Sequence, residues 1–324
     1  MSEKLKLINM ADVTAQNVRW LWYPYVPFGK ITMLMGDPGE GKTMLVLALA
    51  AMITKGELLP GERNTRPPVS VIYQTAEDGL ADTIKPRLEK AGADCKMVVV
   101  IDDSDCPLSF SDSRIEEAIK EARAKLLILD PLQAFLGADV DMHRANEVRP
   151  AFRNLADIAD RLGCAVIIVG HMNKMSGIKS IYRGLGSIDI AAVCRSILLI
   201  GRSRDDDGKR YLVQLKNSLA PAGESLAFQM DDSLSFIGTS DITADKLLYG
   251  GAVSFTPRKA DVVTEKLREL LIDGERRSDE IYEIFREMDI SSRTVEKAKK
   301  KMGVVSKKHG GHFYLSLPPP QNIL

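Results

Sequence analysis

Between residues 31 and 171 the chain repeats one alternation, a short apolar run followed by a longer amphipathic stretch. The apolar runs are Ile31-Thr32-Met33-Leu34-Met35, Val69-Ser70-Val71-Ile72-Tyr73-Gln74, Met97-Val98-Val99-Val100-Ile101, Leu126-Leu127-Ile128-Leu129 and Cys164-Ala165-Val166-Ile167-Ile168-Val169. They are β-branched and scarcely interrupted by polar residues, which predicts strands covered on both faces. The stretches between them, 44–51, 80–92, 116–124 and 146–162, carry helical periodicity. This order implies an α/β fold with a mostly parallel, twisted sheet. Ligand-binding groups in such folds collect where strands end. Gly36, Glu77, Asp130 and His171 each follow a strand.

Beyond Arg195 the runs shorten, to 195–200, 210–215, 225–230 and 233–237, with turns such as Asp205-Asp206-Asp207-Gly208 between them. That texture predicts an antiparallel extension of the same sheet. Residues 239–260, with Gly250-Gly251 and Pro257, read as a linker, which leaves residues 1–238 as one domain and 261–324 as another. In the second, Val263, Leu267, Leu270 and Leu271 share a helical face, and Ser278 opens a helix carrying Ile281, Ile284, Phe285 and Met288. Ser291 or Ser292 opens a third helix with Val295, Ala298 and Met302. Val304-Val305-Ser306 and Phe313-Tyr314-Leu315-Ser316-Leu317 then flank the basic tip Lys307-Lys308-His309-Gly310-Gly311-His312. Three short helices and a hairpin resemble a winged helix-turn-helix.

The chemistry begins at Gly36-Asp37-Pro38-Gly39-Glu40-Gly41-Lys42-Thr43, which fits G-x-x-x-x-G-K-[ST] between a predicted strand and a predicted helix starting near Met44. Glycines let backbone N–H groups turn onto phosphate oxygens, and the helix N-terminus adds its positive end. The nucleotide-binding set therefore runs from Gly36 through Met44, with Lys42 on the β- and γ-phosphates of ATP and Thr43 on Mg²⁺. Asp130, closing a fully apolar strand, suits a second Mg²⁺ ligand. Pro131 follows it directly, so the group that orients the attacking water must come from another strand end. Glu77 is favoured because its longer side chain reaches further, with Asp78 the alternative. His171 stands where a side chain can sense the γ-phosphate.

Bulk properties narrow the setting. Lysine plus arginine and aspartate plus glutamate both number 44, so no global field points to nucleic acid, and any such signal is local. Cys95, Cys106, Cys164 and Cys194 show no C-x-x-C spacing and read as reduced thiols. No apolar run approaches membrane-spanning length, and a cytoplasmic protein without membrane contact is expected. Trp20, Trp22, Tyr23 and Tyr25 form an aromatic cluster that reads as core or as packing near the nucleotide.

Together the Gly36–Thr43 loop, Ala76-Glu77-Asp78-Gly79, Leu129-Asp130-Pro131 and Val169-Gly170-His171 resemble the RecA-like ATPase core, over roughly residues 15–240. More specifically, they are similar to the RepA-type group of hexameric plasmid and phage helicases and related mobile-element ATPases. The resemblance implies that Glu77 activates water and that His171 couples ATP state to nucleic-acid loops. It also implies an arginine finger supplied by a neighbouring subunit, with Arg195 best placed, Arg183 and Arg202 as rivals and Lys216 as a second trans-acting cation. A finger in trans requires a homo-oligomeric ring, expected to be a hexamer.

Two loops at the places that hold single-stranded DNA in such rings are rich in glycine and cations. One spans residues 137–150, with His143, Arg144 and Arg149, and the other spans 172–187, with Lys174, Lys179 and Arg183. In the C-terminal segment Arg293, Lys297, Lys299, Lys300, Lys301, Lys307 and Lys308 oppose only Glu296, on the helix and wing that winged helices apply to duplex DNA. The expected function is an ATP-hydrolysing, DNA-associated ring motor of a plasmid, phage or integrated element. The alternatives are a nucleotide-dependent regulatory switch that does not translocate, and a scaffold that binds ATP only to assemble.

Overall fold

The computed structural model describes residues 7–137, 145–171, 188–203, 208–231, 234–249, 263, 266–267, 269–271, 274–288 and 290–318. The chain divides into two compact units, Met1–Gly251 and Ala252–Leu324. In the first, a short antiparallel hairpin (β1, Trp20–Trp22; β2, Val26–Pro27) precedes a nine-stranded sheet. Its strands are β3 (Ile31–Gly36), β4 (Val71–Thr75), β5 (Val98–Val99), β6 (Leu126–Asp130), β7 (Ala165–His171), β8 (Ser196–Gly201), β9 (Lys209–Asn217), β10 (Ser225–Met230) and β11 (Leu234–Ser240). They lie in the order β11-β10-β9-β8-β3-β7-β6-β4-β5. Every pairing from β5 to β8 is parallel, and β8 through β11 pair antiparallel. The α/β sheet with an antiparallel extension expected from the sequence is present.

Side-chain alternation explains the uninterrupted apolar runs. Along β3, Ile31, Met33 and Met35 enter one core and Leu34 the other. On β6, Leu127 and Leu129 face the first core, while Leu126 and Ile128 face the second. Helices α1 (Lys42–Lys55) and α2 (Lys85–Lys90) cover the second core. Helices α3 (Ser113–Glu121), α4 (Ala145–Leu162) and α5 (Ile188–Val193) cover the first. A strand with apolar layers on both faces has no solvent face on which to place polar residues.

Four local features depart from the sequence reading. The helix read at 80–92 opens with a π-helical turn, Leu80–Ile84, before α2. Pro86 brings no backbone N–H to the ladder there. β5 is shorter than its apolar run because the Gln74 side-chain amide takes over the pairing, donating to Ile101 O and accepting from Ile101 N. Of the aromatic residues read as core or as packing near the nucleotide, Trp22 and Tyr25 are core at the amino ends of the strands, away from the nucleotide end, and Tyr23 is exposed. Trp22 Nε1 donates to Pro60 O at 2.8 Å, and Tyr25 Oη donates to Glu224 O at 2.6 Å. Lastly, the stretch read as linker is structured in its first half. β11 continues to Ser240, and α6 (Ala244–Tyr249) packs Leu247 and Leu248 on the first core. The glycines and proline that suggested a linker lie only in the second half of that stretch.

The second unit runs from helical residues between 263 and 271 to β12 (Arg276–Arg277), α7 (Ser278–Glu287), α8 (Ser292–Met302), β13 (Val305–His309) and β14 (His312–Ser316). Its antiparallel sheet has the order β12-β14-β13. Val263, Leu267, Leu271, Ile281, Phe285, Ile290, Val295, Ala298 and Leu315 form its core, with Leu270 at the edge. Among the described residues no helix is long and apolar enough to cross a membrane.

Candidate active site

The sheet order sets the site. β7 lies between β3 and β6, so Gly36 pairs with His171 and Thr75 with Asp130 across adjacent carboxyl ends. Between β3 and α1 the chain turns through Gly39 (φ 79°) and Gly41 (φ 90°), both in the left-handed region that favours glycine. Gly36 is required for another reason, since a Cβ there would lie 2.4 Å from the Ile200 carbonyl oxygen of β8. No side chain caps α1, and its first-turn N–H groups open toward the loop.

Lys42 is buried, and its ammonium donates to the carbonyls of Gly36 and Asp37 at 2.9 Å each. Burial lowers its pKa, while Asp130, Asp37, Glu40 and Glu77 pull the other way. Thr43 Oγ1 donates to Asp130 Oδ2 at 2.8 Å, and Tyr73 Oη donates to the same oxygen at 3.1 Å. Burial raises the Asp130 pKa, and these two hydrogen bonds oppose the rise. Burial, followed by the Asp130 charge, also raises the Tyr73 phenol.

At the next strand end the two acidic candidates separate. Asp78 pairs with Arg87 of α2 at 3.1 Å, with both side chains part-exposed. Among the described residues Glu77 has no Lys or Arg partner, and its Oε2 approaches His171 Nε2 at 3.9 Å. The other ring nitrogen of His171, Nδ1, is buried without a hydrogen-bond partner among the described residues. A carboxylate, an imidazole and a buried ammonium thus meet at the mouth of a phosphate-shaped loop.

The AAA domain family matches residues 3–177, more than half of the chain. The chain belongs to the AAA domain family. Curated relatives of this AAA domain include the DNA repair protein RadA of Bacillus subtilis (strain 168), 27% identical over 152 residues, covering 46% of this chain and 29% of RadA. RadA of Halalkalibacterium halodurans is 26% identical over 207 residues, covering 63% and 40%. The chain therefore spans less than half the length of these relatives. Among solved structures, a KaiC-like protein of Pyrococcus horikoshii OT3 gives a TM-score of 0.49 at 14% identity, over 69% of this chain and 98% of that one. A second solved structure, an isolated ATPase domain, gives 0.49 at 14%, over 65% and 85%.

The AAA domain's oxygen donors fit the Mg²⁺ that such ATPases use. Thr43 and Asp130 offer hard oxygen ligands from two different elements, and a buried carboxylate whose pKa burial has raised gains from a cation. Among the described residues no cluster of three or more His, Cys, Asp or Glu side chains could hold a metal by itself. Mg²⁺ needs no such cage, since it usually keeps waters and substrate phosphates as ligands.

Tyr73 was not singled out from the sequence. Its only signal is a hydroxyl inside an apolar strand that proves to be the neighbour of β6. Tyr73→Phe keeps the ring and removes one donor from Asp130. It is expected to raise the Mg²⁺ concentration for half-maximal hydrolysis about 10-fold or more. A Mg²⁺ titration that matches the parent chain would reduce Tyr73 to packing.

The cations considered for trans action are placed apart. Arg202 is engaged within its own chain, its Nε 3.1 Å from Glu40 of the phosphate loop, and Arg210 of β9 lies 3.6 Å from the same carboxylate. Lys216 donates to Ala191 O and Cys194 O at the end of α5, at 2.7 and 2.9 Å. Arg195 is exposed where β8 begins, beside Ile31, at the amino ends of the strands and so opposite the phosphate loop. With Arg149 and Arg153 of α4 it lines a cleft of about 960 Å³. Arg144, Lys174, Lys179 and Arg183 lie outside the described residues. In the second unit Arg293, Lys297 and Lys300 are exposed at helical spacing along one stripe of α8, and Lys307 and Lys308 are exposed on β13. Lys299 instead pairs with Glu296 at 2.9 Å.

Proposed function

We propose that this AAA ATPase is an ATP-driven, DNA-associated motor of the RepA type, assembled as a homo-oligomeric ring, with a hexamer the expected size. The observation that carries the reading is the contact between Glu77 and His171, which joins the water-activating position to the root of the Lys- and Gly-rich segment 172–187. On binding ATP, Lys42 exchanges the Gly36 and Asp37 carbonyls for β- and γ-phosphate oxygens. Thr43 and Asp130 would hold Mg²⁺, which would supply charge neutralisation to the bound triphosphate. Glu77 orients a water and accepts its proton as the new P–O bond forms and the bond to the β-phosphate oxygen breaks, releasing ADP and phosphate. Loss of the γ-phosphate changes the field around Glu77, and His171 carries that change toward 172–187.

Arg195 is the trans finger in this scheme. It has no side-chain partner among the described residues and cannot serve its own phosphate loop, whereas Arg202 and Lys216 are already engaged. The kinship to proteins named for DNA repair supports a nucleic-acid partner. Single-stranded DNA is proposed for the segments with Arg144, Arg149, Lys174, Lys179 and Arg183. The C-terminal helix–strand–helix–helix–strand–strand order supports a winged helix bearing duplex DNA on Arg293, Lys297, Lys300, Lys307 and Lys308.

Steady-state ATP hydrolysis with and without single-stranded DNA tests the motor, with Glu77→Gln as the blank. Single strands are expected to stimulate turnover several-fold, on the order of 1 kcal/mol of coupling. Turnover indifferent to single strands would replace the motor by a regulatory switch that binds DNA through its C-terminal unit.

A further inference from the structure

The C-terminal hairpin carries an aromatic ring where its core has already ended. β13 and β14 meet through Gly310 and Gly311, both at positive φ (53° and 87°), as a tight two-residue turn requires. The register pairs Lys308 with Phe313, so their side chains share one face, and Lys308 Nζ sits 5.5 Å from the Phe313 ring centroid. Leu315, two residues along the same face, is fully buried in the unit's core. Phe313 lies beyond that core and is 54% exposed.

The surrounding charge selects a ligand. Several described carboxylates of this unit are paired within it: Glu296 with Lys299, Asp279 with Arg277, Glu280 with Arg276 and Glu283 with Arg286. Lys307, Lys308 and the α8 stripe of Arg293, Lys297 and Lys300 have no ion pair among the described residues. A flat apolar ring with a cation over it, and a second lysine next to that cation on the edge strand, matches a nucleobase joined to phosphates. Inside a duplex both faces of a base are covered by stacking, so such a ring reaches only a base that is unpaired or at an end.

We propose that Phe313 is a stacking platform for an unpaired base, with Lys308 on the same face and Lys307 on the other face of the edge strand β13 holding phosphates on either side of it, so that the C-terminal unit takes single-stranded or overhanging DNA ends in preference to blunt duplex. This rests on the nucleic-acid reading of that unit and changes the form of DNA it selects.

Phe313→Trp in the full chain places a fluorophore at the platform, and the parent chain corrects for Trp20 and Trp22. Three probes are titrated at equal nucleotide concentration: a blunt duplex, the same duplex with an oligothymidine overhang, and the single strand. The overhang and the single strand are expected to quench the introduced indole several-fold more than the blunt duplex, which offers only the outer faces of its two end pairs. Phe313→Ala is expected to bind the overhang about 10-fold more weakly. Equal quenching by blunt duplex would overturn the platform in favour of a groove contact. Absence of quenching, with DNA binding still weakened by Lys307→Ala plus Lys308→Ala, would overturn the platform and leave the nucleic-acid reading standing. If the double lysine variant also binds every probe like the parent, both fall, and the face is left to a protein partner.

Discussion

Lys42→Ala is expected to lose ATP hydrolysis by about 10³-fold, the scale on which removing a preorganised transition-state donor acts. The ammonium lies at the loop's mouth on the carbonyls of Gly36 and Asp37, and an arriving triphosphate offers stronger, charged acceptors in their place. The fold is not expected to suffer. Burial lowers the Lys42 pKa below its usual value, so the folded chain binds fewer protons than the unfolded chain between the two values. The charged side chain therefore costs stability at neutral pH, and that cost fades as pH rises toward the ordinary lysine range. Alanine removes the cost, so the melting temperature should not fall. Phosphate release and a thermal melt on the same preparation separate the two effects. Hydrolysis within about tenfold of the parent would remove Lys42 from the chemistry.

Glu77→Gln is expected to bind ATP as the parent does and to turn it over about 10²- to 10⁴-fold more slowly. The amide preserves size and can still hold a water, but it cannot accept the proton. Purified variant should consequently retain unhydrolysed ATP, measurable by denaturing the protein and analysing the released nucleotide. Asp78→Asn is the control. It should only loosen a part-exposed contact with Arg87, of the kind worth about 1 kcal/mol or less. Normal turnover by Glu77→Gln together with a silent Asp78→Asn would remove both neighbours from the water-activating role.

What the sequence made legible had either a motif or a one-dimensional period. The phosphate loop is contiguous, and β3, β6 and β7 are apolar throughout because both faces are covered, so their existence and their end residues could be read directly. Lateral order could not. Nothing in the spacing places β7 between β3 and β6, or β4 beside β6, and Tyr73 acquires its role only through that second neighbour. The same limit applied to the cations. Arg202 looks free in the sequence, yet its carboxylate partner is 162 residues away in the phosphate loop. Composition misled in 239–260, where Gly250, Gly251 and Pro257 drew attention from Leu247 and Leu248, which pack on the core.

The link between Glu40 and Arg210 bears on how this ATPase can be altered. Arg210 is among the few buried charged residues, and among the described residues Glu40 is the carboxylate within reach of its guanidinium. Position 40 falls on an unspecified letter of the phosphate-loop pattern, which invites free exchange between proteins. Here it faces a buried cation from the antiparallel extension at 3.6 Å, and removing it would leave that charge buried with less to offset it. The nucleotide loop and the distant strands are therefore one inheritance: a loop transplanted from another ATPase would carry its chemistry intact and still leave this sheet electrostatically unbalanced.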